Sequence, residues 1–315
     1  MAYILITPVK NEEAFLRQTS RCILNQTTLP AIWVIVDGGS TDGTLALIRD
    51  LQERCDWIYC KAQETFSNRR GHMNFALGVR EGYEYARQIA HKKGIEYEYI
   101  GKTDADVLLR EDFFAGLTSR LENDDGLGVG GGASYTLRAG ACTPSPDAID
   151  ERLFDRDYFL PYEMPDKRLY RRRALEEIGG FPVTAFAPDS VALAKLLNRG
   201  WRVRSFDESG IYNLRKDTSI EKDWWKSSLL LGHESYYLGC HPFYTLLSGV
   251  YHLACPSQYN GFGLVIGYTS ACLRREEKIE DSEVRRYYRV TRFKRLNRVV
   301  AAQMQQAFSA VFGGR

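Results

Sequence analysis

No apolar run in this sequence reaches the ~18 residues that a bilayer-spanning helix needs, which excludes a polytopic membrane protein of the helical kind. The opening stretch, Met1-Ala2-Tyr3-Ile4-Leu5-Ile6-Thr7-Pro8, lacks the basic segment and cleavage site of a signal peptide and reads as a first strand. Its seven cysteines (Cys22, Cys55, Cys60, Cys142, Cys240, Cys255 and Cys272) contain no C-x-x-C pair and no zinc-like spacing. An odd number without a framework predicts reduced thiols, mostly buried, in a cytosolic protein. Net charge is scarce at +2, so the field of the whole molecule does not make it a nucleic-acid binder. Internal repeats and low-complexity tracts are absent as well.

What is present is an ordinary globular composition over 315 residues, enough for one large or two small domains. Residues 2–7 are apolar and β-branched, and Asn11 is the expected N-cap of a helix carrying Phe15, Leu16, Thr19, Cys22, Ile23 and Gln26. Ala31-Ile32-Trp33-Val34-Ile35-Val36 is a continuous apolar run, the mark of a strand buried on both faces. It ends at the polar loop Asp37-Gly38-Gly39-Ser40-Thr41-Asp42-Gly43-Thr44, after which a helix resumes. Trp57-Ile58-Tyr59-Cys60 predicts a third strand, a long helix is expected from Met73 to Lys93, and Gly94 stops it. A fourth strand leads to Asp104-Ala105-Asp106. Alternating strands and helices predict a doubly wound α/β domain, in which ligands bind beyond the carboxyl ends of the strands. Three loops leave those ends, after Thr7, at Asp37 and at Asp104.

Further on, Gly126 to Ala133 is glycine-rich and then β-prone, residues 139–168 read as loop, Asp189 to Arg199 as helix and Trp201 to Phe206 as strand. From 217 the chain turns helical and aromatic, and a basic amphipathic helix is expected over Val284 to Phe312. The expected division is therefore an α/β domain over 1–215 and a helical, aromatic and basic region over 216–315.

Two carboxylates at i and i+2, such as Asp104 and Asp106, can share one hard divalent cation through oxygen ligands, and such a cation suits a phosphate-bearing substrate. Alone, the pair is a weak signal, because Asp is common at strand ends. Around it stand Thr7-Pro8-Val9-Lys10-Asn11-Glu12 after the first strand, the Asp37–Thr44 loop after the second, and Gly179-Gly180-Phe181 ahead of Asp189. In this order and spacing the sequence resembles the inverting glycosyltransferases of family 2, over about residues 2–206. The resemblance implies the GT-A fold, a Rossmann-like mixed sheet flanked by helices, and transfer of a sugar from a UDP- or GDP-sugar to an acceptor glycan or polyprenyl-type lipid.

It also implies roles. Thr7, Pro8 and Val9 would lie along the base and ribose, and Asp37 would accept hydrogen bonds from the base. Arg69 or Arg70 would meet the diphosphate, which suits the fixed donor fork of arginine. Asp104 and Asp106 would hold Mg²⁺ or Mn²⁺, with Asp104 nearer the ribose. Asp189 would be the catalytic base or would orient a sugar hydroxyl. The chain departs from the family in two places. Pro188 replaces the first acid of the usual pair before the base, and no histidine stands at Tyr212–Asp217, where many relatives have a third metal ligand. Arg215 and Lys216 there could meet a diphosphate directly. His233, His241 and His252, set among aromatics, read as structural.

The aromatic and basic C-terminal region suits a peripheral position on the cytoplasmic face of a membrane, and a homodimer is left open. The competing classes are a phosphohydrolase of the haloacid-dehalogenase type, which needs its D-x-D on the first strand, and a non-catalytic nucleotide-sugar-binding protein.

Overall fold

A computed structural model describes residues 1–68, 73–138, 141, 149–156, 166–215, 224–254, 260–292 and 294. The chain divides into two compact units, Met1–Lys216 and Asp217–Arg315.

In the first unit, apolar runs form β1 (Tyr3–Val9), β2 (Ile32–Asp37), β3 (Ile58–Ala62) and β4 (Tyr99–Lys102), separated by α1 (Glu13–Leu24), α2 (Thr44–Arg54) and α3 (Met73–Lys93). These four strands run parallel in the order β3-β2-β1-β4. Alternate residues serve opposite faces. Tyr3 and Leu5 of β1 join a core under α1 and α2, and Ile4 and Ile6 join a second core under α3. Burial on both faces is why these strands read as unbroken apolar runs.

The sheet then continues with strands of mixed direction. After β4 come β5 (Val107–Leu109), α4 (Phe113–Glu122), β6 (Leu127–Leu137), a single 3₁₀ turn at Glu151–Leu153 and β7 (Phe154–Arg156). β8 (Asp166–Arg171), α5 (Arg172–Glu177), α6 (Pro188–Asn198) and β9 (Arg202–Asn213) complete the unit. The described strand order is β3-β2-β1-β4-β8-β6-β9-β5, with β7 on β6. This is the mixed α/β sheet expected of the GT-A fold. α4 packs on the same core as α1 and α2, while α5 and α6 share the face of α3.

Four expectations need correction. Residues 166–168, read as loop, begin β8; their charges masked the strand signal, yet Arg168 pairs across the sheet with Lys102. The strand expected to stop at Phe206 runs on to Asn213, because its outer half pairs with β5 and β6 despite Asp207 and Glu208. Asn11 is not an N-cap: it sits at φ 55, and α1 starts from Glu12 without a side-chain cap. Among the described cysteines, only Cys22 and Cys240 are buried, Cys55 and Cys60 are half-buried and Cys272 is exposed. Cys142 and Cys255 lie outside the described residues.

The second unit contains α7 (Trp224–Tyr237), α8 (Pro242–Ala254), α9 (Gly261–Leu273) and α10 (Ser282–Arg286), which passes into a π-helical turn at Tyr287–Thr291. Of the basic helix expected over 284–312, the part beyond 294 lies outside the described residues. No described helix is long and apolar enough to cross a membrane.

Candidate active site

The parallel register fixes where the site lies. Val9 stands opposite Asp37, and Ile6 opposite Lys102, so β1, β2 and β4 end together. A cavity of about 600 Å³ opens there. Pro8, Val9, Lys10 and Glu12 line it from the first loop, Gly38 from the second, and Gln63, Phe66, Asn74 and Phe75 from the β3–α3 segment. Asp104, Ala105 and Asp106 lie on it, as do Ala187, Pro188 and Asp189 at the start of α6.

The first two loops are joined side chain to backbone. Asn11 N–H donates to Ser40 Oγ (2.9 Å), Thr41 N–H to Asn11 Oδ1 (2.7 Å) and Glu12 N–H to Thr44 Oγ1 (2.9 Å). Glu13 N–H donates to Asp42 Oδ2 (3.2 Å), and Gly43 N–H returns a bond to Glu13 (3.0 Å). These bonds give the Ser40–Thr44 pattern its physical reason, which is to hold the loop after β1. Asp37 is 4 % exposed and accepts from the N–H groups of Gly39 (3.1 Å) and Ser40 (3.2 Å), which fixes the glycine turn. Thr7 is buried, its hydroxyl accepting from Trp33 Nε1 (2.9 Å).

Asp104 and Asp106 lie between β4 and β5 rather than on a strand end. Thr19 of α1 pins this turn from below. Its Oγ1 lies 2.7 Å from Ala105 O and 2.8 Å from Val107 O, and accepts from Val107 N–H at 3.1 Å. Leu214 N–H donates to Asp106 O (2.8 Å) on the other side. Thr19→Val keeps the shape but removes a buried hydrogen-bonding group. It is expected to cost about 1–3 kcal/mol in urea denaturation and to lower turnover by displacing both carboxylates.

The charges are arranged in two groups. Glu12, Asp104 and Asp106 share Lys167 and Arg215: Lys167 Nζ is 2.5 Å from Asp104 Oδ2, and Arg215 contacts Glu12 and lies 3.6 Å from Asp106 Oδ2. Among the described residues, three acids thus face two cations. Burial, with Asp104 beside it, pushes the Asp106 carboxyl up despite Lys167 and Arg215. Burial likewise raises Glu12, against Arg215 and with the help of Asp106 and Asp104. Asp104 Oδ1 is buried without a hydrogen-bond partner among the described residues.

Asp189 has the opposite surplus. Lys102 Nζ (2.6 Å) and Arg168 (3.3 Å) both engage its Oδ2. Burial alone would raise this carboxyl, but the two cations more than reverse that and hold it well below the usual carboxylate range. The sequence reason is parity. Lys102 follows Ile100 on one face of β4, the face that α6 covers, and Asp189 sits in the first turn of α6, where the helix dipole favours an acid. The chain enters α6 through Ala187 at φ 45, and Lys167 is at φ 35. With Asn11, three of the four non-glycine residues at positive φ among the described residues border this site, as strained backbone often does at functional sites.

The fold therefore brings together Pro8, Val9, Asp104, Asp106 and Asp189 on one cavity, with Arg215 against Asp106. Thr7 and Asp37 stand directly behind it with their polar groups engaged. Arg69 and Arg70, as well as Lys216, lie outside the described residues. Sequence reasoning missed Glu12, Thr19, Lys102, Lys167 and Arg168 as site residues. Lys102 had a signal, since a lysine inside an apolar strand is rarely buried without a partner. His233 belongs to the second unit, where it bonds Glu276 (2.9 Å), and His241 Nδ1 accepts from Phe243 N–H (3.2 Å).

No curated protein matches this sequence. Among solved structures, mannosyltransferase PcManGT from Pyrobaculum calidifontis is similar at 19 % identity and TM-score 0.50, over 73 % of this chain and 61 % of that one. S. aureus TarS 1-349 is similar at 17 % identity and TM-score 0.50, over 75 % and 66 %. The chain spans under two thirds of either relative, and at this identity the likeness shows the fold. The model of the family described as "Glycosyl transferase family 2" matches residues 4–179, more than half of the sequence, from β1 through the D-x-D turn to the double glycine. On that match the chain belongs to glycosyl transferase family 2.

Proposed function

We propose that this chain transfers a sugar from a UDP- or GDP-sugar to a hydroxyl of a glycan or a polyprenyl-type lipid, by a single displacement that inverts the anomeric carbon. The observation that carries the reading is the pairing, on one cavity, of an under-compensated acid pair with a separately held carboxylate. The solved complexes of PcManGT with GDP-Man and Mn²⁺, and of TarS with UDP-GlcNAc, support the choice of donor class.

A divalent cation fits the acid group. Among the described residues three carboxylates face two cations there and one carboxylate oxygen is orphaned, and burial together with Asp104 disfavours the charge on Asp106. No cluster of three or more His, Cys, Asp or Glu among the described residues is arranged to hold a metal by itself. Asp104 and Asp106, which carry that orphaned oxygen and the disfavoured charge, would hold Mg²⁺ or Mn²⁺ through oxygen ligands. Bound there, the ion supplies Lewis-acid stabilisation to the departing diphosphate.

The chain's own residues do the rest. Pro8 and Val9 lie along the nucleoside, and Asp37 keeps the turn below it in shape and faces the base. Arg215, with Arg69 or Arg70, adds positive charge for the phosphates. Asp189 orients the acceptor hydroxyl and accepts its proton as the new bond forms. Lys102 and Arg168 keep Asp189 ionised and fix its angle, so its role is more one of aim than of basicity. A transfer assay with UDP- and GDP-sugars and Mn²⁺ on glycan and lipid acceptors tests this. Inversion of the donor's anomeric configuration, read by NMR, supports the reading; retention contradicts it.

A further inference from the structure

The second unit distributes its exposed apolar side chains unlike the first. Among the described residues, large exposed apolar side chains number three in Met1–Lys216 and twelve in the shorter Asp217–Arg315. Most lie on α8 and α9. On α8, Tyr244, Thr245 and Gly249 are buried, whereas Phe243, Leu246, Leu247, Val250, Tyr251 and Leu253 are exposed. Spacings of three and four place these six on one side of a helix. On α9, Phe262 (62 % exposed), Ile266 and Leu273 (79 %) form a matching stripe.

The two helices are close neighbours. A Cβ on Gly261 would overlap the Gly249 carbonyl, and one on Gly249 would meet Val265 at 2.7 Å. Neither helix contains Asp, Glu, Lys or Arg. Burial pushes the one imidazole, His252, down, so it is neutral at pH 7. Each helix has 13 residues. That is about 20 Å of helix, short of a hydrocarbon core of about 30 Å. Helices of this length with one apolar side suit the plane of a membrane interface rather than a crossing.

Charge says which partner covers them. From Val284 to Arg315 the sequence has eight Lys and Arg and no Asp or Glu. Of these, Arg285 and Arg286 on α10, Arg289 in the π-helical turn and Lys294 are exposed, whereas Arg292 lies over the Tyr244 and Tyr288 rings. A second copy would bring the same run of cations again, whereas anionic headgroups neutralise it.

We propose that the outer sides of α8 and α9 seat in the interfacial layer of an anionic phospholipid bilayer, with the exposed Arg285, Arg286, Arg289 and Lys294 against its headgroups. This deepens the transferase reading by naming where a lipid-linked acceptor is met, and it is tested without any sugar transfer. The intact chain is floated with vesicles of phosphatidylcholine alone and of phosphatidylcholine with phosphatidylglycerol. It is expected to rise with the anionic vesicles and far less with the neutral ones. Leu246→Glu/Val250→Glu is expected to cut vesicle-bound protein by about tenfold or more, with melting temperature and nucleotide-sugar binding unchanged. Phe262→Glu on α9 serves as a second variant should the pair unfold. Failure to float with any vesicle overturns the proposal, as does undiminished flotation of folded variants. Light scattering that shows a dimer which the variants dissolve, without flotation, overturns it in favour of a second copy. Nucleotide-sugar binding, measured without vesicles, reports separately on the transferase reading.

Discussion

Asp106→Asn is expected to lower sugar transfer by about 10³-fold, the scale of several kcal/mol of charge stabilisation at a leaving group. The same variant is expected to melt no lower than the parent. Burial and the neighbouring Asp104 both raise the Asp106 carboxyl, so its charge at neutral pH opposes folding. A group whose folded pKa lies above its unfolded value costs stability once pH exceeds the unfolded value, and an uncharged isostere removes that cost. Lost transfer combined with retained or raised melting temperature is the signature of a charge kept for a ligand. A drop in both would mark Asp106 as a structural acid. Kinetics and calorimetry on one preparation make the comparison.

Asp189→Asn is expected to lower kcat about 10²- to 10⁴-fold, the range for losing a positioned proton acceptor. Donor affinity should hold, because Asp189 faces Lys102 and Arg168 rather than the acid pair. The pH dependence follows from the direction of the shift. Asp189 is held below its unfolded value near 3.9, so its contribution to stability is present above that value and is lost as pH falls through the folded one. Activity that needs the ionised form should therefore persist on the acid side of the ordinary carboxylate range, until other groups fail. Lys102→Met removes the larger of the two opposing influences. It should move the acid limb of kcat/KM upward in pH and bring the acid loss of stability to higher pH. An acid limb that stays in place in this variant would show that Asp189 does not set it.

The parallel half of the fold was legible because its strands are buried on both faces and end abruptly in polar loops. Ile32–Asp37 and the glycine loop after it are a clear case, as are the bounds of α3. The other half was less so. β8 is rich in Lys and Arg, and the outer part of β9 holds Asp207, Glu208 and Gly210, so neither shows the period of a strand. The acid pair and Asp189 could be named from their motifs, yet their electrostatics could not. Lys102 and Arg168 are 66 residues apart in sequence and meet only through β4–β8 pairing. Thr19 reaches the D-x-D turn from a helix 86 residues earlier than Ala105. Contacts of that span depend on sheet order, which local pattern does not encode. The helices α8 and α9 illustrate the reverse: their apolar character was plain, but only burial separates an inward stripe from an exposed one.

The central claim, a metal-assisted nucleotide-sugar site on the D-x-D turn, is tested most directly by melting temperature. UDP-, GDP- and dTDP-sugars are compared with and without Mn²⁺, on the parent and on Asp106→Asn. A ligand that binds the folded chain raises the melting temperature by mass action. The account predicts that at least one UDP- or GDP-sugar raises it, more with Mn²⁺ than without, and that the metal-dependent part vanishes in Asp106→Asn. No shift with any nucleotide-sugar, or a Mn²⁺-dependent shift that survives the substitution, would contradict it.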